Sequence, residues 1–404
     1  MSALIDKLVP ERPIAPGDDI DGLRRRAQKV LMQHGFPHRK TENWKYTPLA
    51  LLEKRNFEPV AHAGKAPPPK LPFEACVVAI HNGRIDPARC RLPDGVTITG
   101  MVAGDIDVSR LDPDSPAHAF AWLNLARLER GWRLRVERDV ARPIVLATSV
   151  DDDFRAAVYP RLKVELAANC SATLIEHQHT AGEGLVNAVL DIELASGARL
   201  DHVIERRGGD TALVEYTTVR VGEAAAYSAF VLDSGGRLTR QDLDIELARP
   251  RAGGRIFGAA TLAGHALVDY HTAIEHRVGP TDSREDFRII ADDNATGVFN
   301  GRILIVPGAD ESHSRMNTGN LLLSENARIN TKPELEIHAE DVTASHGATI
   351  GQLDENARFY MRSRGLSDDE AAALLKIGFA AAVFDEMPAG PVRDWLVGRL
   401  EAES

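Results

Sequence analysis

The pentapeptide Asp191-Ile192-Glu193-Leu194-Ala195 recurs as Asp244-Ile245-Glu246-Leu247-Ala248, and a weaker copy stands at Val164-Glu165-Leu166-Ala167-Ala168. The first two lie 53 residues apart, and the weaker copy precedes the first by 28. A fundamental period of 26–28 residues accounts for both spacings. Repeats of roughly 20–50 residues mark solenoids and propellers. The surrounding sequence, about 130 to 350, alternates apolar and polar residues at strand spacing. Examples are Trp132-Arg133-Leu134-Arg135-Val136 and Arg161-Leu162-Lys163-Val164-Glu165-Leu166. No helical pattern of ten or more residues interrupts it. A β-solenoid follows, in which each coil lends the next the apolar surface it cannot bury alone. A β-sandwich carrying coincidental pentapeptides is the alternative. In register with the repeat, Cys170 aligns with Ala198, which reads as a small inward residue rather than a reactive thiol.

Helical patterns flank this region. Leu23, Ala27, Val30 and Leu31 recur at helical spacing, with Asp21 as the cap, Gly35 as the stop, and Arg24, Arg25 and Arg26 as a solvated face. Residues 61–72 contain three consecutive prolines and read as a linker. Near the C-terminus Ser367-Asp368-Asp369-Glu370 forms a capping box. Leu375 and Phe379 lie on one apolar face of the helix that follows; Leu374 and Ile377 lie on another. Pro388 ends that helix and Pro391 opens the next. Two apolar faces need two surfaces to cover. One is a core; the other is the open end of the solenoid, most simply, or a second subunit or a partner. The chain thus divides into an N-terminal helical region and linker (1–72), a β-solenoid core with a lead-in (73–360) and a C-terminal helical region (361–404).

The net charge is −11 and aromatic residues make up 5%. Neither suits a nucleic-acid or anionic-membrane surface. No apolar run approaches the ~18 residues that span a bilayer. Three cysteines, with no CxxC, make a disulfide framework or a thiolate metal cage improbable. With no apolar signal core at the N-terminus, a reducing cytosol is the expected compartment.

Enzymatic signatures are lacking. There is no GxSxG, no Walker glycine loop and no strand-linked GxGxxG. Asp152-Asp153 and Asp292-Asp293 sit in turn-like stretches. His271 and His276 lack the glutamate of a zinc-protease helix. His177-Gln178-His179 puts two imidazoles on one strand face, a geometry that holds a metal, but no third ligand lies nearby in sequence. A surface pair is the simpler reading.

The stretch 318–365 is the most distinctive. Its markers are Asn320-Leu321-Leu322-Leu323-Ser324, Asn330-Thr331-Lys332-Pro333-Glu334-Leu335-Glu336-Ile337, Ser345-His346-Gly347-Ala348-Thr349, Phe359-Tyr360 and Ser363-Arg364-Gly365. With Arg39-Lys40-Thr41-Glu42-Asn43-Trp44-Lys45-Tyr46-Thr47 near the N-terminus, these motifs resemble the SufB/SufD family, scaffold subunits of the SUF iron–sulfur assembly machine. Gly347 in place of a glutamate, and no cysteine in 318–365, align the chain with the SufD side of that family.

The resemblance implies a right-handed parallel β-helix between helical regions, and a non-catalytic scaffold role. The implied partners are a SufB-like subunit, met through the last β-helix turns, and a SufC-like ATPase, met through the C-terminal helices. In isolation a homodimer is expected. Nascent cluster would form at the SufB-like interface, with iron or cluster held transiently and no cofactor bound tightly by this chain alone. His346 becomes the candidate cluster ligand. Glu336, His338 and Ser345 become interface candidates, and Arg364, Leu375 and Phe379 candidates for ATPase docking. Family members on this side often carry a cysteine two residues before the histidine. Here Ala344 stands there, and the thiol is read as dispensable. A β-helix that binds or cleaves carbohydrate is the competing reading; the carboxylate cluster it would need is not evident in the sequence.

Overall fold

The computed structural model describes residues 3–10, 17–60 and 69–403. Most of the proline-rich segment, residues 61–68, lies outside them. Strands dominate. They form two sheets of ten strands each, the first containing Ser171–His179 and Arg199–Arg207 and the second Leu185–Leu194 and Ala212–Val221, and the long ones pair in parallel with strands one coil away. The result is a parallel β-solenoid of about eight coils. The repeat marks its ladder. Val164 pairs with Ile192, Asp191 with Thr218, and Thr218 with Asp244, so the pentapeptides stack in one sheet. Coils lengthen toward the C-terminus, where Asp286 pairs with Asn317.

Alternation decides what each sheet buries. Inward positions build one continuous core, from Val78 and Leu134 through Ile192, Val219 and Ile245 to Phe287, Phe299 and Met316. Cys170 sits one coil from Ala198 and is buried, as the repeat predicts.

The outer faces are covered too. Helices α1 (Ala3–Leu8), α2 (Asp21–His34), α3 (Ala50–Lys54) and α4 (Ala119–Ala126) pack on the second sheet around Leu185, Val189, Val214 and Tyr216. Every residue of α4 is buried, and Asn124 donates to the carbonyls of Pro160 and Asn187 at 3.0 and 2.7 Å. Asp21 begins α2 rather than capping it, and its carboxylate pairs with Arg25 instead. Nor is the arginine run wholly solvated. Arg24 is buried, paired with Asp18 at 2.6 Å and donating to the Leu128 carbonyl at 2.7 Å. Gly35 ends the helix with φ of 72°, and its N–H reaches the Leu31 carbonyl.

The motif 39–47 fastens this layer. Trp44 is buried, stacked on Phe120, and its ring centroid lies 3.9 Å from the Arg240 guanidinium. Arg240 also donates to the Asn43 carbonyl and to Asp269, while Thr47 donates to Asp269. Glu42 extends the contact to Lys332, on the last coil, at 2.7 Å.

Helices α5 (Glu355–Ser363), α6 (Asp368–Ala381) and α7 (Pro391–Glu403) follow the solenoid. The strands end at Gly351, and the 360/361 boundary drawn from sequence falls inside α5. The capping box of Ser367 and Glu370 is present, and Pro391 opens α7. These helices do not close the solenoid's end. Phe384, Trp395, Leu396 and Leu400 lie across the outer face of the first sheet, on Val203, Phe230 and Phe257. That face carries an apolar residue at each of these outward positions, which no end-on cap would cover.

Candidate functional site

The two ends of the solenoid differ. At the N-terminal end a two-residue strand, Arg84–Ile85, runs antiparallel to Cys76–His81, and Val96–Gly100 runs antiparallel to Trp132–Val136. Short antiparallel strands of this kind block further pairing. At the other end the strands Arg328–Ile337 and Val342–Gly351 pair with the previous coil and, among the described residues, with no strand beyond it.

Register shows which side chains lie over the open end. Gly297, Phe299, Gly301, Ile303 and Ile305 point inward, and they pair with Ile329, Thr331, Pro333, Leu335 and Ile337. Likewise Ser312, Ser314, Met316, Thr318 and Asn320 pair with Val342, Ala344, His346, Ala348 and Ile350. These ten residues occupy core positions with no coil above them. Ile337 is 41% exposed and Ile350 50%. The open end is therefore an apolar platform edged by unpaired backbone groups.

His346 is exposed on this platform, in register with buried Met316, and no described residue hydrogen-bonds its ring. Among the described residues, no group of three or more metal-ligating side chains includes it. Ser345 is exposed and points outward beside Arg315. Glu336 also points outward; both carboxylate oxygens accept from Arg302 at 2.8 Å, which holds its carboxyl below the usual range. His338 is exposed just past the strand end. The four candidates thus share the last coil, but only His346 lies on the platform.

A second patch lies on α5 and α6. Phe359, Tyr360 and Leu374 are exposed, the first by 71%. Arg364 is exposed, with its guanidinium 3.1 Å from the Tyr360 hydroxyl. Leu375 is half-buried. Phe379 packs toward the solenoid, under Arg288. The sequence offered Phe359-Tyr360 as a motif without a role; its exposure follows only once α6 is seen to take the sheet.

The three cysteines lie away from the platform, at the first strand, a turn near the N-terminal end and the turn before Ser171. Burial raises each thiol above its ordinary range. The fold does gather carboxylates that no linear reading collects. Asp139, Asp201, Asp282 and Asp341 line a groove of about 1200 Å3 along the turns entering the first sheet, beside Arg199 and Arg255.

With this architecture in hand, comparison with known proteins is specific. Residues 147–379, more than half of the chain, match the family described as SUF system FeS cluster assembly, SufBD core domain. The chain belongs to that family. It is 29% identical to the iron–sulfur cluster assembly protein SufD of Escherichia coli, over 95% of this chain and 94% of the relative. An iron–sulfur cluster assembly SufBD family protein of Synechocystis is 28% identical over 90% and 87%. The Bacillus subtilis SufD is 38% identical over a shorter stretch, 27% of this chain and 25% of that protein. The chain is a SufD-like member of an iron–sulfur cluster assembly family. No helix among the described residues is long and apolar enough to cross a membrane.

Proposed function

We propose that this chain is a non-catalytic scaffold subunit that pairs, through its open last coil, with a SufB-like subunit during iron–sulfur cluster assembly. The observation that carries this is the asymmetry of the solenoid. One end is closed by antiparallel strands; the other offers two unpaired edges and a platform containing Ile337, Ile350 and His346. A related solenoid meeting these edges would extend both sheets and bury the platform. His346 then supplies an imidazole to iron or nascent cluster, held as cargo, while thiolate ligands come from the partner. The patch of Phe359, Tyr360 and Leu374 docks a SufC-like ATPase. Without partners the platform meets its copy in a homodimer, and the protein works in the cytoplasm.

The test is co-expression with the SufB-like and SufC-like proteins of the same genome, followed by purification through a tag on this chain. Stoichiometric co-elution of both is expected. Elution of this chain alone would contradict the scaffold reading. His346→Ala should preserve the complex while lowering cluster content; unchanged cluster content would remove the ligand role.

A further inference from the structure

We infer that His177, His179 and Glu205 form a binding site for a divalent first-row transition-metal ion on the outer face of the first sheet, beneath α7. The two histidines project from the same side of the strand Ser171–His179. Glu205 stands directly opposite His177 on the next strand, one coil later, and supplies the third ligand that lies too far away in sequence to be recognised. The ligand atoms lie within 4.8 Å of one another. His177 Nδ1 is 2.6 Å from Glu205 Oε2, and His179 Nε2 is 3.3 Å from the same oxygen.

Two borderline imidazole nitrogens, joined by one hard carboxylate oxygen, suit zinc, cobalt or ferrous ions rather than calcium or magnesium. Around a tetrahedral ion with bonds of about 2.1 Å, ligand atoms stand about 3.4 Å apart. The His179 to Glu205 spacing already meets that, and His177 need retreat by less than about 1 Å. Neighbouring groups hold the set in place. Arg399 of α7 donates to Glu205 Oε1 at 3.1 Å, which fixes the carboxylate and leaves Oε2 turned to the rings. The Trp395 ring lies 5.8 Å from that of His177 and shields one side. Glu205 is buried, whereas the His179 side chain is 40% exposed, so the fourth position opens to water on that side. Such a site has three protein ligands, one open position and a second shell that orients them.

The experiment titrates the full chain, carrying a tag without histidines and stripped of metal, with Co2+. One equivalent should bind, giving the visible absorption of a four- or five-coordinate cobalt site, and Zn2+ should displace it. His179→Ala, at a half-exposed position, should weaken binding about tenfold or more while leaving circular dichroism unchanged. Glu205→Gln should do the same. His346→Ala, on the distant platform, should bind as wild type. Absence of the cobalt spectrum overturns the proposal. So does a His179→Ala variant that binds as wild type, or loss of binding in His346→Ala alone.

Discussion

Inside the solenoid, single polar residues set the local energetics. Glu285 is fully buried between Ile256 and Met316 on its ladder, and the Thr272 hydroxyl is the one group that favours its charged form. Burial raises its pKa to about 8. The folded protein therefore keeps a proton that the unfolded chain releases near pH 4.5, and stability falls as pH rises between those values. Glu285→Gln should change stability little at pH 4.5 and raise it by about 2–4 kcal/mol at pH 8. Urea unfolding at both values checks this, and an equal effect at the two pH values would contradict it. Arg206 is the contrasting case. It is buried but satisfied, donating to Glu215, Gln178 and Gln241 at 2.5, 3.0 and 3.1 Å. Removing it with Arg206→Ala strands Glu215, at an expected cost of about 3–5 kcal/mol in the same measurement. Neither residue stood out in the sequence. Gln178 and Gln241 reach Arg206 from 28 and 35 residues away, and Glu285 meets Ile256 and Met316 only across coils, so a linear reading sees isolated charges among strand residues. The same separation concealed Glu205 from His177 and His179.

Elements were more legible where local chemistry decides them. The strands Trp132–Val136 and Arg161–Leu166 follow from alternation, and α6 begins at its capping box. What the helices cover was not legible, because an apolar stripe does not name the surface it meets. Only the fold shows that α6 and α7 lie across a sheet, and that Phe379 faces inward while Phe359, Tyr360 and Leu374 remain outside. Phe359→Asp with Leu374→Asp should therefore abolish co-elution of the SufC-like ATPase without lowering the melting temperature, as calorimetry would record. Retained co-elution would move the docking surface elsewhere. At the opposite face, Trp44 locks the N-terminal layer through Arg240 and Phe120. Trp44→Ala should cost about 3–5 kcal/mol and expose α2 to limited proteolysis. An unchanged digestion pattern would show that the motif does not hold the layer.

At the scale of the whole molecule, the repeat carried most of the fold, since a 26–28-residue period without helices leaves few ways to bury its apolar residues. It did not reveal that the ends differ. The last coil repeats the pattern of the others and reads as core; its exposure depends on there being no further coil. That asymmetry is the centre of the functional account. Purified alone, the chain should pair through the platform, so light scattering should give a dimer mass, and Ile350→Asp a monomer. A wild-type monomer would deny the platform self-affinity. The most direct measurement is amide hydrogen exchange of this chain with and without the proposed SufB-like partner. The account predicts strong new protection across Arg328–Ile337 and Val342–Gly351, with none at the closed end around Arg84–Ile85. Protection absent from the last coil in a complex that nevertheless forms would contradict it.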